Sequence, residues 1–117
     1  MYIKTISFSP KLVRDNIPEI MRQNGQEPLG CIAETDAEYA KFLHEKLLEE
    51  ADEFFTPLNT HQNQLEELAD IMEIIYAIGK FYGLSVDDVE RVRKEKLEKN
   101  GGFNQRFILS GRRLTQP

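Results

Sequence analysis

A single cysteine, Cys31, leaves no second thiol for an intrachain disulfide, so no covalent staple is available to hold the fold. Long apolar runs are missing as well. The best candidate, residues 71 to 78, contains Glu73 and falls far short of the ~20 residues that would cross a bilayer. An excess of basic residues is also lacking: 15 Lys and Arg stand against 20 Asp and Glu, giving −5. That balance argues against nonspecific binding to nucleic acid or to an anionic membrane surface. It does not exclude a phosphate ligand, because local groups and a bound cation set the field at a site. There is no internal repeat, low-complexity tract or linker. With 117 residues and 40% hydrophobic content, one domain over 1–117 is expected. Met1-Tyr2-Ile3-Lys4 opens no apolar stretch of the signal-peptide kind, so a cytoplasmic protein is the expected reading.

What is present is helical punctuation. Asn16 and Pro18 mark the start of a short helix that stops at Asn24-Gly25. Thr35-Asp36-Ala37-Glu38 has the form of a capping box, in which a hydroxyl and a carboxylate satisfy free amides, and opens a helix from about Asp36 to Phe55, ahead of Pro57. Residues 56 to 63 read as a polar connector without periodicity. A second long helix is expected from about Gln64 to Phe81, closed by Gly83, and a third begins after Ser85 and stops at Asn100-Gly101-Gly102. The alternating segment 2–8 and the segment 103–109 are expected as short extended pieces, with pairing between them considered. The fold class is therefore all-α, three long helices and one short one.

Four carboxylates interrupt the apolar faces of this scheme. At ~100° per residue, Leu43, Leu47 and Phe54 form one stripe, and Glu50 projects into it with Glu53 at its edge. On the next helix Glu67 and Asp70, again three apart, lie above Ile74, Ile78 and Phe81 on one face. An ionised carboxylate taken out of water without a partner is too costly to keep, so four on inward faces require cations or protons. Lys46 lies one turn before Glu50, and the second helix offers only Lys80 at its far end. Oxygen donors with little nitrogen or sulfur nearby suit a hard ion, Mg²⁺ or Mn²⁺. One Glu-Glu-x-x-Glu run is usually a solvated helix face. Two acidic pairs on consecutive helices make a metal site in a bundle interior the stronger reading.

Glu49-Glu50-Ala51-Asp52-Glu53, followed after 13 residues by Glu67-Leu68-Ala69-Asp70, resembles the paired acidic motifs of the all-α nucleoside triphosphate pyrophosphohydrolase superfamily. Lys11-Leu12-Val13-Arg14-Asp15-Asn16-Ile17-Pro18-Glu19-Ile20 and Lys99-Asn100-Gly101-Gly102-Phe103 through Leu109 are similar to its small, stand-alone MazG-like branch, related to phosphoribosyl-ATP pyrophosphohydrolases. The resemblance implies Glu50, Glu53, Glu67 and Asp70 as metal ligands. It places Glu49, Glu50 and Glu53 in the catalytic motif, Glu49 in a helper or water-orienting position. The implied reaction is attack of a metal-oriented water on the α-phosphorus of a nucleoside triphosphate, with Mg²⁺ neutralising phosphate oxygens and pyrophosphate leaving.

Candidate phosphate-binding cations are Lys11, Arg14, Lys96, Lys99 and Arg106, with Lys96 expected to reach inward along the stripe of Val89 and Val92. Tyr39, Phe42, Phe54, Tyr76 and Phe81 are candidates for base recognition or for core. His44, His61 and Cys31 lack partners at ligand spacing and are read as structural. Residues 71 to 82 are apolar around most of a helix, so a homodimer or dimer of dimers is expected to complete the bundle. The nucleotide-pool, house-cleaning role leads. Hydrolysis of phosphoribosyl-ATP in histidine biosynthesis and a noncatalytic helical interaction module are the alternatives.

Overall fold

The hydroxyl of Thr35 accepts from the Glu38 amide at 3.1 Å, satisfying one of the amides that a helix start leaves unpaired, and α2 runs from there over Asp36–Phe54. The computed structural model describes residues 4 to 116. Ahead of α2 lies the short α1, Ile17–Gln23, with Pro18 in its first turn; Asn16 precedes it in a helical conformation and its side chain makes no capping bond. After α2 come α3, His61–Phe81, and α4, Val86–Asn100.

The expected start of α3 is three residues late. Thr60 accepts from the Asn63 amide at 3.2 Å and starts the helix at His61, a cap obscured by the polar composition of the preceding residues. The shortened connector is itself held, since the Asn59 side-chain Nδ2 donates to the Glu53 and Phe54 carbonyls at 3.3 Å, covering free acceptors at the end of α2. Gly83 closes α3 at φ +71, a backbone region that side chains with a Cβ avoid. Ser85 caps α4 by accepting from the Asp88 amide at 3.1 Å.

Among the described residues there is no strand, so the expected extended pairing of the termini is absent from them; Tyr2 and Ile3 lie outside the described residues. Residues 4 to 13 run without regular structure into the turn before α1, and 101 to 116 follow α4 without helix or strand. Among the described residues no helix is long and apolar enough to cross a membrane.

The chain divides into two units, one through Gly83 and one from Leu84 onward. In the first, α2 and α3 pack against each other. Tyr39 near the start of α2 meets Phe81 at the end of α3, ring centroids 5.1 Å apart, while Glu50 near the end of α2 lies with Glu67 and Asp70 of α3. The two helices are therefore antiparallel. Leu43 and Ile74, 2% and 8% exposed, are the buried apolar side chains among the described residues. Burying each contributes about 2 kcal/mol, so the core of a single chain is thin. Of the aromatics expected in that core, Tyr39, Phe42, Phe54 and Phe81 are half-buried, and Tyr76 is exposed. In the second unit α4 carries ion pairs on its surface, Arg93 with Glu90 and Arg91 with both Asp88 and Glu95, and has no buried residue.

Candidate metal centre

Glu50 sits two turns beyond Leu43 on the buried face of α2, and that placement leaves its residue only 5% exposed. Lys46, one turn back on the same face, reaches it at 3.1 Å. That contact accounts for one carboxylate oxygen. With both carboxylates ionised, the other, Oε2, is buried without a hydrogen-bond donor, and so is Oε2 of Glu67 on α3; a proton on Glu67 supplies the missing donor between the two side chains. Because α2 and α3 are antiparallel, ligand atoms of Glu50, Glu67 and Asp70 lie within 4.8 Å of one another. A second set on α2 alone, Glu49, Glu50 and Glu53, meets the same spacing. Glu50 belongs to both, as the sequence spacing predicts.

Protons and cations share the task of making this cluster tolerable. Hydrogen bonding to Glu50 is the largest cause that pushes the Glu67 carboxyl up to about 8, followed by burial and by repulsion from Glu50 and Glu53. Burial and the Glu50 charge raise Glu53 too. For Glu50 the largest effect, burial, opposes ionisation, yet hydrogen bonds to Glu67 and Lys46 and the Lys46 charge leave it below the ordinary carboxylate range. Lys46 is raised despite its burial by its bond to Glu50 and by the acids around it. The two glutamates thus divide one proton, with Glu67 as its holder.

The N-terminal segment supplies neutralising groups that helix spacing does not reveal. Arg14 Nη2 donates to Asp70 Oδ1 at 2.6 Å across 56 residues of sequence, and Lys11 Nζ lies 3.9 Å from Glu49 Oε1. Lys46 approaches the same Glu49 oxygen at 3.7 Å. Counted together, five carboxylates (Glu49, Glu50, Glu53, Glu67, Asp70) meet three cations (Lys11, Arg14, Lys46). With Glu67 deprotonated the deficit is two charges, that of one divalent ion; with its proton in place the deficit is one.

The donor set fits such an ion. All its atoms are carboxylate oxygens, and two of its residues, Glu50 and Glu67, each carry a buried oxygen that lacks a donor when both are ionised. The ligand atoms lie within 4.8 Å of one another, close enough for one hard cation to be held among them. Glu53 is exposed and Glu49 half-buried, which places them at the open side of the cluster.

The other expected cations lie elsewhere in the chain. Lys96 and Lys99 are on α4 and Arg106 follows it at φ +58, all in the unit that begins at Leu84 and all exposed. The inward reach expected of Lys96 is not seen, because no residue of α4 is buried. His44, His61 and Cys31 are exposed. Lys46, whose spacing one turn before Glu50 marked it as a neutraliser and which was not among the expected phosphate-binding cations, is the cation nearest the buried glutamate. No family model, curated protein or solved structure matches the chain.

Proposed function

We propose that this protein is a Mg²⁺-dependent nucleoside triphosphate pyrophosphohydrolase, releasing a nucleoside monophosphate and pyrophosphate. The observation that supports this reading best is the grouping of Glu50, Glu67 and Asp70 from antiparallel helices, with an oxygen of each glutamate buried and lacking a donor when both are ionised. A helical interaction module has no use for such a pair, whose desolvation costs stability unless a proton or cation intervenes.

Glu50, Glu67 and Asp70 would hold the ion, with Glu53 completing the set from the exposed edge. When bound, Mg²⁺ supplies charge neutralisation for phosphate oxygens and activation of a water. Glu50 enters this role already ionised, lowered by its hydrogen bond to Glu67 and then by Lys46. Glu67 must give up its proton, which is the step the cluster's chemistry sets against binding. Lys11 and Arg14 lie beside Glu49 and Asp70 at the open side, where they can exchange a carboxylate for a phosphate oxygen as substrate arrives.

The apolar side chains on α3 that remain exposed, Leu65, Leu68, Met72, Ile75 and Tyr76, recur at helical spacing and support a homo-oligomer in which a second copy covers them. A monomeric mass in light scattering at micromolar concentration removes this part of the reading.

Pyrophosphate release over a nucleotide panel with Mg²⁺, repeated with Glu50→Gln and Asp70→Asn, tests the activity. Release from at least one nucleotide, lowered 100-fold or more (on the order seen for loss of a main charge-stabilising group) in both variants, is the expected outcome. Intact nucleotides throughout, with no heat of Mg²⁺ or Mn²⁺ binding in calorimetry, would overturn it.

A further inference from the structure

Between the N-terminal arm and α2 lies a cavity of about 310 Å³ whose walls include Phe8, Lys11 and Leu12 from the arm and Phe42, Lys46 and Glu49 from the helix. Its volume falls in the range of small-molecule sites. Three features distinguish it from a fold in a solvated surface. Two phenyl rings line it, and Phe8 is 70% exposed, an aromatic face left available to a ligand. The Lys11 ammonium sits 5.7 Å from the Phe8 ring centre, close enough for attraction between the cation and the ring face, which places a positive charge beside the aromatic part of the lining. Lys11 and Lys46 come from opposite walls, yet both approach Glu49 Oε1, at 3.9 and 3.7 Å.

Glu49 is also where the cavity meets the metal centre, since its carboxylate groups with Glu50 and Glu53. The cavity is thus aromatic and apolar at one part of its lining, cationic at another, and continuous through Glu49 with the carboxylates. A planar base joined to a polyphosphate has the same sequence of properties.

We propose that this cavity receives the base of the nucleotide, that Phe8 and Phe42 are its stacking walls, and that Lys11 and Lys46 bridge from the base site to the phosphates. The proposal rests on the pyrophosphohydrolase reading and assigns the substrate side of that site. Glu49 then acts as the anchor that holds two lysines at the junction, which is why it lies beside the ligand set and not at its buried centre. Stacking on two phenyl rings tolerates any base, so the pocket selects nucleotides over inorganic phosphates more strongly than one base over another.

Calorimetry with Mg²⁺ present, comparing a nucleoside triphosphate panel with inorganic triphosphate, tests the assignment on the full chain. Phe42→Leu and Phe8→Leu should each weaken nucleoside triphosphate binding by about tenfold, the scale of losing one stacked ring, while leaving inorganic triphosphate within twofold. Lys11→Gln should weaken both ligands. Phe8 lies on an exposed arm, so its substitution keeps the test sound if Phe42→Leu disturbs α2. Unchanged nucleotide affinity in both phenylalanine variants, with hydrolysis intact, overturns the pocket and leaves the enzyme reading standing. Equal losses for both ligands overturn it too, since the rings would then be structural. Failure of the wild-type chain to bind Mg²⁺ and any nucleotide removes the enzyme reading and the pocket together.

Discussion

Replacing Glu67 by Gln in metal-free protein probes the proton at the centre of the cluster. The Glu67 carboxyl is pushed up to about 8, above its ordinary value of 4.5, first by hydrogen bonding to Glu50. The folded chain keeps this proton through a range in which the unfolded chain has released it. Stability is therefore fully present below about 4.5 and is lost as pH rises toward 8. The limiting slope for one group is about 1.4 kcal/mol per pH unit; Glu67 is only half-buried, and solvent screening discounts the loss between pH 6 and 8 to about 1 kcal/mol. For a domain of this size that is a fall in Tm of roughly 4 °C.

Glu53, also raised, adds in the same direction, whereas the lowered Glu50 acts below its ordinary value, outside this window. A glutamine amide can donate to Glu50 as the protonated acid does, but cannot titrate. Thermal unfolding in chelator from pH 6 to 8 should show the wild-type Tm falling by several degrees more than that of Glu67→Gln. Saturating Mg²⁺ should flatten the wild-type slope by replacing the proton, and Mg²⁺ affinity should rise with pH over the same range. Parallel pH dependence of wild type and variant in chelator would refute the reasoning, because Glu67 would then not be the proton holder.

Three further outcomes check the scaffold. Leu43→Ala, at the most buried apolar site, should cost about 3 kcal/mol in chemical denaturation, a large share of the stability of a chain with so thin a core. Gly83→Ala should cost about 1 kcal/mol although a Cβ there meets nothing within 4 Å; a neutral result would show that its φ of +71 is not required. Thr35→Ala should cost about 1 kcal/mol by freeing the Glu38 amide, and Thr35→Asn should recover most of it.

Helix number and order were legible because their causes are local. Thr35, Gly83 and Ser85 act on amides and dihedrals within a few residues of themselves, and the structure uses each as its pattern predicts. Thr60 was missed for the opposite reason: the residues after it are polar enough to hide the start of a helix, and only the capping bond to the Asn63 amide marks it. Extended pairing of the termini was suggested by alternation alone, which cannot specify a partner for a short segment. The inward position of Glu50 was also readable, since 3.6-residue periodicity places it among Leu43 and Leu47.

The sequence by itself therefore determined the all-α class, the four helices and the two acidic motifs, because capping and periodicity are properties of neighbouring residues. Only the tertiary structure decided which charges meet. Arg14 reaches Asp70 across 56 residues, and Lys11 joins Lys46 at Glu49 from an arm with no regular structure. The antiparallel packing of α2 on α3 is what brings Glu50 and Glu67 together and pushes the Glu67 carboxyl up. Those facts depend on the path of the chain through space, to which the spacing of residues along a helix carries no information.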